Sequence, residues 1–255
     1  MSKSDFPSLN YEKPLWKKDY LVIGVDEVGR GCLAGPLVVG AVCFCPDLIG
    51  IDNKCDSHKI DILINIGIND SKKLTSHKRQ ELAKIIKKQA LFYSTAQVSV
   101  SVINKKGIVK ATQVAMRKAV KNVVLSLKPR YNRSQELTLI KKTSRLSASR
   151  RITSKNKKPF VLIDAFYIKY LRGIGLKNQK AIIHGDEKSI SIAAASIIAK
   201  VERDKLMCML SKKHPNYKWH KNKGYGTPEH INAIRKHGKT KLHRNLFLRN
   251  ILNYS

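Results

Sequence analysis

Acidic residues are scarce in this chain. Only 18 Asp and Glu stand against 50 Lys and Arg in 255 residues, giving a formal net charge of +32 and a pI near 10.1. Such a chain repels itself unless its partner is a polyanion. Nucleic acid is the first candidate, a ribosomal or membrane surface the second, and plain solubility the third. Other absences narrow the class further. No apolar run reaches ~18 residues, so no transmembrane helix is expected. Met1 to Asn10 is polar and lacks the apolar stretch of a signal peptide. The five cysteines are odd in number and form no C-x-x-C pair, which argues against a disulfide scaffold and a structural zinc site. There is no Gly-x-Ser-x-Gly elbow, no phosphate-binding Gly-x-x-x-x-Gly-Lys-Ser/Thr loop and no His-Glu-x-x-His helix.

What is present is an alternation of strands and helices. Hydrophobic residues make up 42% of the chain, enough for a core. Tyr20 to Val25 and Leu37 to Phe44 are apolar runs separated by glycines and Pro36, the pattern of a hairpin. Thr75 or Ser76 can cap a helix with Leu82, Ile85 and Ile86 on its inner face. Leu91 to Val102 is expected as a strand and a helix follows from about Asn104. Phe160 to Ile163 and Ala181 to Ile183 are further strands, and Ser191 to Lys212 is the clearest helix. Lys128 to Lys158 holds 11 Lys or Arg and one acid, Glu136, and is expected as an exposed basic insertion. Residues 1–19 are expected as a polar leader. The histidines crowded into the tail (His214, His220, His230, His237 and His243) are expected at the surface or facing phosphate. The mixture of elements is that of an α/β or α+β protein.

Because acids are few, their positions carry information. Asp26-Glu27 follows the first apolar run, Asp164 ends the run Phe160 to Ile163, and Asp186 lies between a short strand and the long helix. Strand ends in one sheet lie side by side, so these carboxylates can converge. Converging carboxylates raise one another's pKa unless a cation neutralises them. Oxygen-only ligands suit Mg2+ or Mn2+, and beside a basic surface they suit metal-assisted attack on a phosphodiester. Any one of these acids alone would pass for a solvated strand-end residue.

Longer strings add a resemblance. Gly24-Val-Asp-Glu-Val-Gly-Arg-Gly31 with Leu33-Ala-Gly-Pro36 resembles the N-terminal signature of the type 2 ribonucleases H, the ribonuclease HII family. The match continues in order through Asn69-Asp-Ser-Lys-Lys-Leu74, Leu162-Ile-Asp164, Gly185-Asp186, Ile192 to Lys200, Arg203-Asp204 and Lys223-Gly-Tyr-Gly-Thr227. The resemblance implies an α/β, ribonuclease H-like fold with a mixed central sheet flanked by helices. It places the catalytic domain over 20–213, including the basic insertion 128–158, with 214–255 as a C-terminal helical extension of the same domain. It implies cleavage of the RNA strand of RNA–DNA hybrids, and at single ribonucleotides embedded in duplex DNA, leaving 5′-phosphate and 3′-hydroxyl ends. Asp26, Glu27, Asp164 and Asp186 would form the catalytic and metal-binding set for two Mn2+ or Mg2+ ions, one activating water and one stabilising the leaving oxygen. Gly29, Arg30 and Gly31 would sense the ribose 2′-OH, Tyr225 would pack on the sugar at the RNA-to-DNA junction, and Lys72 and Lys73 would meet phosphates.

Three positions depart from the family pattern: Cys32 and Gly226 stand where proline is frequent, and Ala165 where glycine is common. Nineteen leader residues are too few for the N-terminal domain of type 3 relatives, which favours type 2. The expected partners are RNA–DNA hybrid and ribonucleotide-containing duplex DNA, with no membrane; the expected state is a cytoplasmic monomer. A non-catalytic hybrid-binding or RNA-binding protein is the competing reading.

Overall fold

A computed structural model of the chain describes residues 6–44, 67–127, 157–249 and 251. The elements run α1 (Glu12–Trp16), β1 (Tyr20–Val28), β2 (Leu37–Phe44), α2 (Ser76–Gln89), β3 (Phe92–Val98), α3 (Val100–Lys106) and α4 (Ile108–Leu127). They continue with β4 (Lys158–Asp164), β5 (Gln179–Ile182), α5 (Gly185–Lys188), α6 (Ile190–Lys213), a 3-10 turn (Pro215–Tyr217), α7 (Trp219–Asn222), α8 (Pro228–His237) and α9 (Asn245–Leu248). The five strands form one mixed sheet in the order β3-β2-β1-β4-β5. β1 pairs antiparallel with β2, and β2 with β3; β1–β4 and β4–β5 are parallel.

Alternation along the strands loads both faces of the sheet. Leu21, Ile23 and Val25 join Ala115, Met116 and Ala119 of α4 in one cluster. Val22, Val42 and Leu162 join Ile192 to Ile198 of α6, with Leu82 and Ile86 of α2, in the other. α6 lies directly on the sheet because both surfaces are small there. An added Cβ at Gly24 would overlap the Ser191 carbonyl group, and one at Gly40 the Ala195 carbonyl oxygen. The facing residues Ala193, Ala194 and Ala195 are fully buried. A third cluster joins Tyr217, Trp219, Ile234 and Leu248 to Leu33 and Ala34, so the tail packs on the loop between β1 and β2.

Several expectations shift. β3 ends at Val98 because the Ser99 hydroxyl accepts the Val102 N–H and starts α3, where a longer strand was expected. The segment before Tyr20 is not simply a polar leader: Leu9 and Trp16 enter the second cluster, and buried Glu12 accepts from the Ser189 hydroxyl at 2.5 Å. Of the basic insertion, only Lys157 and Lys158 fall within the described residues. Among the described residues no helix is long and apolar enough to cross a membrane.

Candidate active site

The four singled-out acids come from three elements. Asp26 and Glu27 lie inside β1, which runs on to Val28; Asp164 is the last residue of β4. The parallel register Val25↔Ile163 brings Asp164 alongside Asp26. Asp186 sits in the first turn of α5, a helix rather than the strand end expected of it. The sharp turn into α5 is held by the Gly185 N–H, which donates to Asp164 Oδ1 at 2.7 Å. An added Cβ at Gly185 would stand 2.7 Å from Ile192 and 3.4 Å from Asp164, so the turn packs closely against its neighbours.

Electrostatics show the convergence. Asp26 is 5% exposed, and burial first, then the negative charges of Glu27, Asp164 and Asp186, push its carboxyl well above the ordinary range. The Ser196 hydroxyl opposes this by hydrogen-bonding Asp26, and Ser196 is itself 2.9 Å from the Ser71 hydroxyl. Burial also raises Glu27, against the pull of Arg30, with Asp164 adding to the rise. Asp164 is raised by burial, against the Gly185 N–H, and by Asp186. The Glu27 N–H donates to Asp26 Oδ1 at 2.7 Å, while Glu27 Oε2 is buried with no hydrogen-bond partner among the described residues.

Lys72 closes the cluster from the loop before α2. Its ammonium lies 3.1 Å from Asp186 Oδ2 and 3.8 Å from Asp70 Oδ1. Burial pulls its pKa down, but the Asp186 carboxylate outweighs that and holds it above the ordinary lysine value. Asp70 is a neighbour of the cluster that sequence reasoning passed over; it is 5% exposed and its Oδ1 also accepts the Lys72 N–H at 2.9 Å. Its signal was its place inside the Asn69-to-Leu74 string. Lys73 does not join the cluster; it faces Glu187 at 3.5 Å on the surface.

The all-oxygen donor set suits a hard divalent ion, and the orphaned Glu27 oxygen is an acceptor open to one. As they stand, no three His, Cys, Asp or Glu side chains among the described residues are spaced to hold an ion together. The cation on Asp186 is instead the Lys72 ammonium. In donor chemistry, burial and shared placement at one end of the sheet, the residues fit such an ion.

Beside the acids, Gly29, Arg30 and Gly31 make the turn that leaves β1. Gly29 has φ +91°, and a side chain there would overlap Arg203. Among the described residues nothing lies within 4 Å of where a Gly31 Cβ would stand, so its main chain is approachable. Arg30 reaches Glu27 at 3.4 Å and lies over the Phe166 ring at 5.1 Å. Tyr225 is 41% exposed, with Arg203 and Lys200 5.8 and 5.9 Å from its ring centre. Its segment joins the same loop: the Leu33 and Ala34 N–H groups donate to the Gly224 carbonyl at 2.8 and 3.2 Å. The tail histidines divide. His230 and His243 are buried in the aromatic cluster, not at the surface, because their ring nitrogens have internal partners in Trp219, Thr240 and the Tyr225 carbonyl.

A sheet with clustered carboxylates at the carboxyl ends of its parallel strands, in a chain of strong positive charge, defines a phosphodiester hydrolase of the ribonuclease H-like α/β class. Comparison with known proteins agrees. The family profile described as Ribonuclease HII matches residues 23–250. A "Ribonuclease HII" of Desulfitobacterium hafniense is 40% identical over 240 residues, covering 94% of this chain and 73% of that protein. In fold, the chain is similar to the ribonuclease H2 of Pyrococcus horikoshii, with a TM-score of 0.61 at 22% identity over 91% of this chain and 97% of that one. It is also similar to a Bst-RNase HIII solved in complex with Mn2+, with a TM-score of 0.58 at 18% identity over 92% of this chain and 70% of that one. The chain belongs to the ribonuclease HII family, and is an endoribonuclease.

Proposed function

We propose that this endonuclease cuts the RNA strand of RNA–DNA hybrids and the strand beside single ribonucleotides in duplex DNA, with Asp26, Glu27, Asp164 and Asp186 as its catalytic set. The observation that carries this is the mutual repulsion of buried carboxylates at one end of the sheet. A group like Asp26, 5% exposed and beside three other acids, is costly to keep ionised unless a cation belongs there. The same four residues would hold Mg2+ or Mn2+. When bound, two such ions supply charge stabilisation on the phosphodiester and a hydroxide source near neutral pH. The Mn2+ in the Bst-RNase HIII complex supports that choice of ion.

The chain's own groups do the rest. Ser196 holds the Asp26 carboxylate, and the Gly185 N–H holds that of Asp164. Lys72 sits on Asp186 and, being 76% exposed, can turn toward a phosphate. The Gly29–Gly31 turn offers main-chain donors and acceptors to a 2′-OH, which a bulkier side chain would block. Tyr225 offers an aromatic face to the next sugar, with general affinity left to the lysines. Residues 20–213 and 214–255 act as one domain, which the packing of Trp219 and Tyr217 on Leu33 and Ala34 supports. The protein works as a cytoplasmic monomer.

The test is incubation with a duplex carrying one ribonucleotide and with a long hybrid, with and without Mg2+. Metal-dependent cuts leaving 5′-phosphate and 3′-hydroxyl ends are expected on both. Tight binding without cleavage in Mg2+, and none when Mn2+ replaces it, would instead make the chain a hybrid-binding protein.

A further inference from the structure

Arg203 of α6 is fully buried, yet among the described residues its donors meet carbonyls and no carboxylate. The acid next to it, Asp204, is taken by Lys200 at 2.8 Å and Arg79 at 3.6 Å. Arg203 donates instead to three main-chain carbonyls: Nε to Pro36 at 3.1 Å, Nη2 to Ala34 at 3.3 Å and Nη1 to Lys223 at 2.9 Å. Two of these lie in the loop after the Gly29–Gly31 turn, and the third lies two residues before Tyr225. The guanidinium also stands 5.8 Å from the Tyr225 ring centre. Gly29 is bare against it, since a Cβ there would overlap Nε. Arg244, also fully buried, holds the far side of the same loop, donating to Arg30 O at 2.8 Å and to Gly35 O at 2.8 and 3.1 Å.

A buried guanidinium without a counter-ion is expensive, and carbonyl dipoles only partly offset the desolvation. An apolar residue of similar volume would fill the space at lower cost. What an apolar residue cannot do is hold two chain segments at a set distance. Guanidinium can, because its donors project in a rigid planar fork; a lysine ammonium on a flexible stem cannot satisfy the same three carbonyls.

We propose that Arg203 is a specificity-positioning residue. It fixes the spacing between the Gly29–Gly31 turn and Tyr225, so that one ribose 2′-OH and the sugar beyond it are read as a single unit. The inference rests on the proposed function. It makes a distinction that function alone does not. A long hybrid can dock in several registers, whereas a single embedded ribonucleotide has one. Displacement of reacting groups by about 1 Å costs up to about a hundredfold in rate. Loosening the joint therefore penalises the single ribonucleotide more than the long hybrid.

The test measures kcat and KM on both duplexes for the wild type, Arg203→Lys, Arg203→Met and Met116→Ala, all well below their melting temperatures. Met116 lies in the opposite core cluster and serves as a control for stability loss alone. Both Arg203 variants are expected to lose about tenfold or more in the ratio of kcat/KM for the single ribonucleotide over that for the long hybrid. Met116→Ala is expected to leave that ratio unchanged. An Arg203→Lys protein with the wild-type ratio overturns the proposal. So does failure of both Arg203 variants to fold, which would make the residue a stability element. A wild-type protein that cuts neither duplex in Mg2+ or Mn2+ refutes the proposed function itself, an outcome separate from either of these.

Discussion

Acid should loosen this protein through its C-terminal cluster, where burial lowers both His230 and His243, His243 to about 4. His243 is 1% exposed, its ring enclosed by Tyr217, Trp219 and His230. Its Nδ1 accepts the Thr240 N–H at 2.9 Å, and its Nε2–H points at His230 Nε2, 3.3 Å away. His230 Nε2 also accepts the Trp219 indole N–H at 2.9 Å, and its Nδ1–H donates to the Tyr225 carbonyl at 2.8 Å. These partners assign both tautomers as neutral, and an added proton on either ring would meet a donor. Burial first, then the positive charge His230 could carry, lowers His243 from 6.5 to about 4. Within that window the unfolded chain binds the proton and the folded chain does not. Stability is therefore complete above pH 6.5 and is lost as pH falls toward 4. At 1.36 kcal/mol per unit the loss reaches about 3 kcal/mol, or about 6–12 °C in melting temperature for a chain of this size. His214, His230 and Tyr217 surround the ring, so the effect must be isolated by difference. Thermal melts of the wild type and of His243→Gln, each from about pH 7 to about pH 4, isolate the His243 contribution together with its coupling to His230. The wild type should lose about 6–12 °C more than the variant over that range. Parallel curves would refute the reasoning, because they would mean that His243 is protonated inside the fold at no cost.

Three other outcomes are expected. Asp26→Asn should reduce cleavage by at least about 10³-fold, or about 4 kcal/mol of transition-state stabilisation, while hybrid binding measured by anisotropy survives, since removing negative charge does not weaken attraction to phosphate; near-normal turnover at saturating metal would remove Asp26 from the catalytic set. Tyr225→Ala should lower cleavage at a single ribonucleotide more than binding to plain duplex DNA; equal losses would make the tyrosine a structural residue. Replacing residues 128–156 with a short Gly/Ser linker should preserve the melting temperature and the cut position but flatten the log–log salt dependence of binding, by ~0.9 for each phosphate that the segment neutralises; an unchanged slope would show that those charges serve solubility.

What was legible in the sequence was whatever sits in short strings. Asp26 and Glu27 beside Gly29, Lys72 beside Asp70, and Gly185 before Asp186 each belong to a local turn whose geometry their neighbours set. The helix caps behaved likewise: the Thr75 hydroxyl accepts the Lys78 N–H three residues on, at the start of α2. Strand-end reasoning located the acids but misplaced two of their settings, because β1 runs on through Glu27 while paired with β2, and Asp186 is carried by α5. The supporting shell was not legible, for a physical reason. Arg203 meets two of its three carbonyl acceptors across 167 and 169 residues and Arg244 meets Gly35 across 209. Nothing near an arginine in sequence shows that its acceptors will be main-chain oxygens. In a chain with 50 basic residues, a buried arginine is therefore indistinguishable by composition from one that meets phosphate. His230 and His243 were misjudged for the same cause: their polar neighbours suggested solvent, whereas Tyr217 and Trp219 fold back to enclose them. Burial separates the two kinds of basic group. On the proposed function, the exposed ones would set affinity and its salt dependence, and the enclosed ones would fix the shape of the loops that meet the nucleic acid.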